Sequence, residues 1–153
     1  MAQLLVIGYD GSHDADLAID FAAAKLGAER ARVVTVWEGG LAAAEAAPVL
    51  GATRPPSPED EAQLEEAARQ TADRGAARSV AAGLAAEPQI ARGAGVGDIA
   101  RVLLDVAEQH DADLLVVGRR GLGRIRSALL GSVSDAAVRD GRRPVLVVPG
   151  PVD

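Results

Sequence analysis

The chain has 153 residues, 48% of them hydrophobic but only 2% aromatic, so its core must be built from Val, Leu, Ile and Ala. It has no cysteine, which excludes disulfides, Cys-ligated metals and thiol catalysis, and no apolar run reaches the roughly 18 residues a membrane helix requires. A net charge of −6 argues against general nucleic-acid binding. One compact domain over residues 1–153 is expected. The N-terminus enters an apolar run at once, without a charged leader and h-region, so the expected location is soluble and cytoplasmic.

Leu4 to Ile7 is a short continuous apolar run, typical of a strand buried on both faces. A helix should start near Ser12 to Asp14. Leu17, Phe21 and Ala24 recur there with Ala18, Ala22 and Leu26 at helical spacing, and Gly27 suits the C′ position. Val33 to Trp37 reads as the second strand. Gly39 to Pro56 has no clean periodicity and reads as a long connection, a type that is often functional. Ser57-Pro58-Glu59-Asp60 then marks a helix start, with Ser as cap, Pro at N1 and acids in the first turn. This helix should run to about Ala82, with Gly83 beyond it.

Glu87 to Ala91 is a weak third strand, followed by a turn from Gly93 to Gly97. Ile99, Val102, Leu103, Val106 and Ala107 form the apolar stripe of a third helix. Leu114 to Val117 is the fourth strand. A fourth helix begins near Gly131 and stops before Gly141. Val145 to Val148 is the fifth strand, closed by Pro149 and Pro151. Strands that are apolar without alternation, interleaved with helices, imply a parallel sheet covered on both faces. Right-handed crossovers make it an α/β fold with an open doubly wound sheet. The pattern leaves the strand order open.

The densest chemistry follows the fourth strand: Gly118-Arg119-Arg120-Gly121, nine residues, then Gly131-Ser132-Val133-Ser134. Glycines at a strand end let backbone approach a ligand without Cβ obstruction. A Gly-Ser pair opening a helix presents free amides and a hydroxyl, and together these form a cradle for phosphate oxygens. The charge distribution agrees. From Gly118 to Arg143 there are seven arginines against two aspartates, a net +5, so the rest of the chain carries −11 of the total −6. This suits a small anionic ligand better than a long polyanion. No P-loop or dinucleotide fingerprint is present. His13 and His110 are isolated and read as surface or capping residues.

The glycine spacing resembles the ATP-binding signature of the universal stress protein family. So does the order of segments around it: Leu4 to Ile7 with the turn Tyr9-Asp10-Gly11-Ser12, Gly97-Asp98-Ile99 opening a helix, and Arg143 to Val148 closing the chain. The resemblance implies strand order 3-2-1-4-5 and a ligand crevice between strands one and four, where the winding reverses. It implies ATP with Mg as the ligand, a regulatory stress-response role, and slow or no hydrolysis. The alternative is an interaction module of the same fold that binds no nucleotide.

By that resemblance, Gly118, Gly121, Gly131, Ser132, Val133 and Ser134 face the phosphates. Tyr9 and Gly11 contribute backbone atoms, Val36 reads the adenine edge through its backbone, and Gly97 walls the base or ribose. Asp10 meets the ribose or a phosphate-bound Mg²⁺, though by itself it also reads as a turn acid. Arg120 matches a position where basic residues are common. Arg119 departs from the family's small polar residue: it either clamps a triphosphate bidentately or fills the crevice. The resemblance also implies a homodimer through strand 145–148.

Overall fold

The computed structural model describes residues 3–39, 57–94, 97–120 and 131–150. In chain order these form β1 Leu4–Gly8, α1 His13–Lys25, β2 Arg30–Glu38, α2 Pro58–Ala81, β3 Ala85–Gly93, α3 Ile99–Gln109, β4 Leu114–Gly118, α4 Ser132–Asp140 and β5 Val145–Val148. The strands make one all-parallel sheet in the order β3-β2-β1-β4-β5. The connection expected over Gly39–Pro56 lies, past Gly39, outside the described residues. No helix among the described residues is long and apolar enough to cross a membrane.

β2 and β3 are both longer than their apolar runs. β2 and β3 pair from Arg30↔Ala85 to Glu38↔Gly93. Polar residues break the apolar signal at their amino ends, and two of them, Arg32 and Glu87, stand opposite each other and pair at 2.8 Å. Pro88 sits within β3, which has a neighbour on one side only. That is where a sheet tolerates a residue with no N–H to give.

The helix boundaries follow local chemistry. Ser12 caps α1 by accepting the Ala15 N–H at 3.2 Å, and Gly27 beyond it is left-handed at φ 61°. Ser57 and Asp60 form a reciprocal capping box on α2, with Pro58 in the first turn.

One buried cluster joins α1 and α2 to the sheet through Ile7, Tyr9, Ile19, Val33, Ala76 and Val116. The other joins α3 and α4 through Val6, Val34, Leu103, Val106, Leu115 and Ala137. The α3 stripe is buried as expected at Val102, Leu103, Val106 and Ala107. The α1 stripe is corrected: its buried face is Ala15, Ala18, Ile19 and Ala22, while Phe21 is 39% exposed and Ala24 is exposed. Small residues let this helix lie close to the sheet, and its larger Phe21 is left on the flank.

Candidate functional site

Strand order 3-2-1-4-5 puts the reversal between β1 and β4, so their carboxyl ends open a crevice. The first lip is the β1–α1 turn. Past Gly8 the chain leaves β1, and Tyr9 anchors the departure: its N–H donates to Val34 O at 2.9 Å, and its carbonyl accepts the buried Thr35 Oγ1 hydroxyl at 2.9 Å. Asp10 Oδ1 accepts the Ser12 N–H at 2.9 Å, which makes it the acid of a tight turn. Gly11 inside that turn is left-handed at φ 79°.

The Tyr9 side chain points away from the crevice, into the layer between α1 and α2. It is 8% exposed, and its hydroxyl donates to Asp16 Oδ1 at 2.8 Å. Burial, then that hydrogen bond and the Asp16 charge, pushes the phenol up to about 12. Asp16 also faces Arg78, which is anchored by Asp20 at 2.7 Å.

β4 supplies the second lip. Gly118 is required by packing: a Cβ there would stand 2.7 Å from the Asp14 carbonyl carbon and 2.8 Å from its oxygen. The close approach that the glycine permits is therefore to the α1 backbone. Arg119 N–H donates to Val148 O at 2.8 Å, and Arg120 N–H donates to Asp14 Oδ2 at 3.0 Å. Gly121 lies outside the described residues.

The third element is the start of α4. Gly131 N–H donates to Arg119 O at 2.9 Å, which seats the helix directly on the end of β4. Gly131 has ordinary extended backbone, φ −62° and ψ 158°. The constraint on it is space, since a Cβ would lie 3.0 Å from Arg119 O. Ser134 is only 2% exposed, and its hydroxyl lies 3.0 Å from both Arg119 O and Gly131 O, bracing the junction from within. The first backbone bond of α4 is Asp135 N–H to Gly131 O, so the amides of Ser132, Val133 and Ser134 precede the helical ladder. The cap residue Gly131 makes no side-chain hydrogen bond to them.

Two further candidates flank the crevice. β1 is paired with β2 only as far as Gly8↔Val34, whereas β2 continues to Glu38. Main-chain groups two residues apart in a strand face the same way. Since Val34 O faces β1, the N–H and C=O of Val36 face the same side, past the end of β1. The Val36 side chain joins the α3 cluster, as a core valine would. Gly97, before α3, is left-handed at φ 86°, and its missing Cβ faces open space.

Only part of the basic segment belongs here. Arg143 bonds Ala112 O and Asp111 at the opposite, amino end of the sheet, because the β4–β5 crossover returns the chain there. Arg139 pairs with Asp135 and Asp140 on the α4 surface. Among the described arginines of that segment, Arg119 and Arg120 are the ones at the end of β4. His13 is exposed in the first turn of α1 and His110 is the cap of α3. Among the described residues no group of three His, Asp or Glu is arranged to hold a metal.

Sequence reasoning passed over Asp14, Thr35 and Gly75. Asp14 resembles any first-turn acid and Thr35 any strand threonine. Gly75 did leave a signal, since a glycine inside a strong helical pattern needs a packing reason.

Fold and site together define an open parallel α/β sheet with the start of α4 seated at its switch point. A sequence model of the Universal stress protein family matches residues 1–149, and the chain belongs to that family. A universal stress protein from Thermus aquaticus, encoded in the QAH/OAS sulfhydrylase 3′ region, is 33% identical over 150 residues, covering 97% of this chain and 99% of the relative. The match to the Synechocystis universal stress protein Sll1388 is 43% identical over 53 residues and spans 34% of that protein. Among solved structures, hypothetical protein MJ0577 superposes with TM-score 0.73 at 22% identity, covering 100% of this chain and 99% of that one. A universal stress protein in complex with cAMP superposes with TM-score 0.63 at 27% identity, covering 98% of each chain.

Proposed function

We propose that this universal stress protein binds an adenine nucleotide, ATP with Mg²⁺, in the crevice between β1 and β4, and holds it as a regulatory ligand in a stress response. The observation that carries this reading is the start of α4. Three successive amides, those of Ser132, Val133 and Ser134, precede the ladder behind a cap without a side chain, at the positive end of the helix dipole. Arg119 and Arg120 keep the sign favourable for phosphate. In this reading Gly118, Gly121 and Gly131 shape the phosphate cradle, and the Ser132 hydroxyl adds a donor. The Val36 main chain meets the adenine edge, and Gly97 walls the base or ribose. Asp10, with the backbone of Tyr9 and Gly11, meets the ribose or a phosphate-bound Mg²⁺. Ser134 supports the cradle through its amide, because its hydroxyl is already engaged. The similar protein bound to cAMP supports an adenine ligand for this chain. No catalytic residue is assigned, and hydrolysis is slow or absent.

The test is twofold. Acid release of the purified protein should free an adenine nucleotide identifiable by absorbance and mass. Nucleotide-free protein should melt higher in millimolar Mg-ATP, by about 2.7 kcal/mol of stabilisation when ATP is a hundredfold above its dissociation constant. GTP should do less. No shift with any adenine nucleotide would overturn the proposal.

A further inference from the structure

The limb of the crevice that leads to α4 is held from two sides. Successive amides at the end of β4 are restrained by different elements: Arg119 N–H by Val148 O, the last residue of edge strand β5, and Arg120 N–H by the Asp14 carboxylate on α1. Between them, Arg119 O receives Gly131 N–H at 2.9 Å and lies 3.0 Å from Ser134 Oγ, so the position of this one peptide sets the position of the α4 start. Asp14 is itself fixed. Its main chain lies against Gly118, where a Cβ would stand 2.7 Å away, and its Oδ1 occupies the space a Gly150 Cβ would take, 2.5 Å from it. One carboxylate on α1 is thus bonded to the end of β4 and packs against the segment leaving β5.

We propose that Asp14 is the positioning residue of the anion cradle, and that its bond to Arg120 couples the shape of the cradle to the end of edge strand β5. The proposal rests on the nucleotide reading for its function, while the clamp itself is a property of the free protein. The acceptor oxygen, not the charge, is the working part. An acid in the first turn of α1 also favours the helix dipole, and its charge opposes a neighbouring phosphate. Asparagine keeps an acceptor at the same reach and removes the charge, whereas alanine removes both.

The experiment compares Asp14→Asn with Asp14→Ala by residue-resolved amide hydrogen exchange without ligand, and by calorimetric titration with Mg-ATP. The β1 amides report that each variant is folded, and Asp14→Ser, too short to reach Arg120, replaces alanine should alanine fail to fold. Alanine should speed exchange at both Arg120 and Arg119 by about tenfold, as loss of a hydrogen bond at the upper end of the ordinary range implies. Asparagine should leave both within about twofold. Mg-ATP should bind the alanine variant about tenfold more weakly, and the asparagine variant as well as or better than wild type.

Unchanged exchange at Arg120 in the alanine variant would overturn the clamp, and faster exchange at Arg120 with Arg119 unchanged would overturn the link to β5. ATP binding that tightens in both variants would show Asp14 acting only through its charge, which also overturns the proposal. Wild-type protein that binds no nucleotide would refute the proposed function and leave the clamp to be decided by exchange alone.

Discussion

The ring of Tyr9 rests on Gly75 of α2: a Cβ on that glycine would stand 2.6 Å from Tyr9 Cδ1, 2.8 Å from Cγ and 2.8 Å from Val33 Cγ1. A glycine inside a 24-residue helix forgoes about 1 kcal/mol relative to alanine. Its presence is explained by the aromatic ring beneath it. Gly75→Ala should therefore destabilise the protein, because displacing a buried ring costs about 1–3 kcal/mol and outweighs the gain in helix propensity. Denaturant unfolding should show a net loss of up to about 2 kcal/mol; a gain in stability would show that the ring accommodates the methyl.

Tyr9 is the only tyrosine, so its ionisation can be followed by ultraviolet absorbance without interference from another phenol. The midpoint should lie near 12 rather than 10. The sign for stability follows. A phenol whose native pKa is raised favours the folded state while protonated, so its contribution is complete below pH 10 and is lost as pH climbs toward 12. Asp16→Asn should bring the midpoint down part of the way, because burial, the first cause, remains. A wild-type midpoint at 10 would mean the ring is solvated.

Gly131→Val should abolish detectable ATP binding while the free protein stays folded. The backbone of Gly131 is of a kind valine adopts, so the damage is local: the side chain drives against Arg119 O, 3.0 Å from where its Cβ must be. Titration calorimetry with circular dichroism checks both halves, and normal binding by the folded variant would move the phosphate cradle elsewhere.

Arg119 separates a clamp from a plug. If its guanidinium grips phosphate, Arg119→Ser should weaken ATP more than AMP, by about 1.5–3 kcal/mol for a charged hydrogen bond. We expect this outcome, since only the longer phosphate chain gives the fork two oxygens to hold. Tighter binding of both nucleotides after the substitution would identify Arg119 as an obstruction.

β5 lies at the sheet edge, with Val145, Leu146 and Val147 only half-buried. An apolar edge with unpaired backbone invites pairing, and we expect a two-fold mate to cover it by an isologous antiparallel contact. Val147→Pro should then yield monomers in light scattering, since proline cannot donate to a ladder. A wild-type chain that remains monomeric at high micromolar concentration, with and without ATP, would refute the dimer.

Local chemistry along the chain specifies the elements and the neighbourhood of the site. Short apolar runs at Leu4, Leu114 and Val145, interleaved with helical patterns, read as strands of a parallel sheet, and the caps at Ser12 and Ser57 are local hydrogen-bond chemistry that needs no tertiary partner. Family resemblance supplied the strand order, which periodicity cannot encode. Tertiary structure decided what each glycine and polar group is for. Gly118 and Gly131 read from sequence as clearances for a ligand. Packing shows that Gly118 clears the α1 backbone and Gly131 clears a carbonyl of its own chain. Ser134 read as a donor to phosphate, yet its hydroxyl is buried in the junction it braces. Phe21 fitted a helical stripe whose true buried face is alanine. Arg143 counted toward a basic segment but folds to the far end of the sheet. These contacts join residues distant in sequence, and Asp14, 106 positions from Arg120, acquires its role only when crossovers bring α1, β4 and β5 to one edge of the crevice.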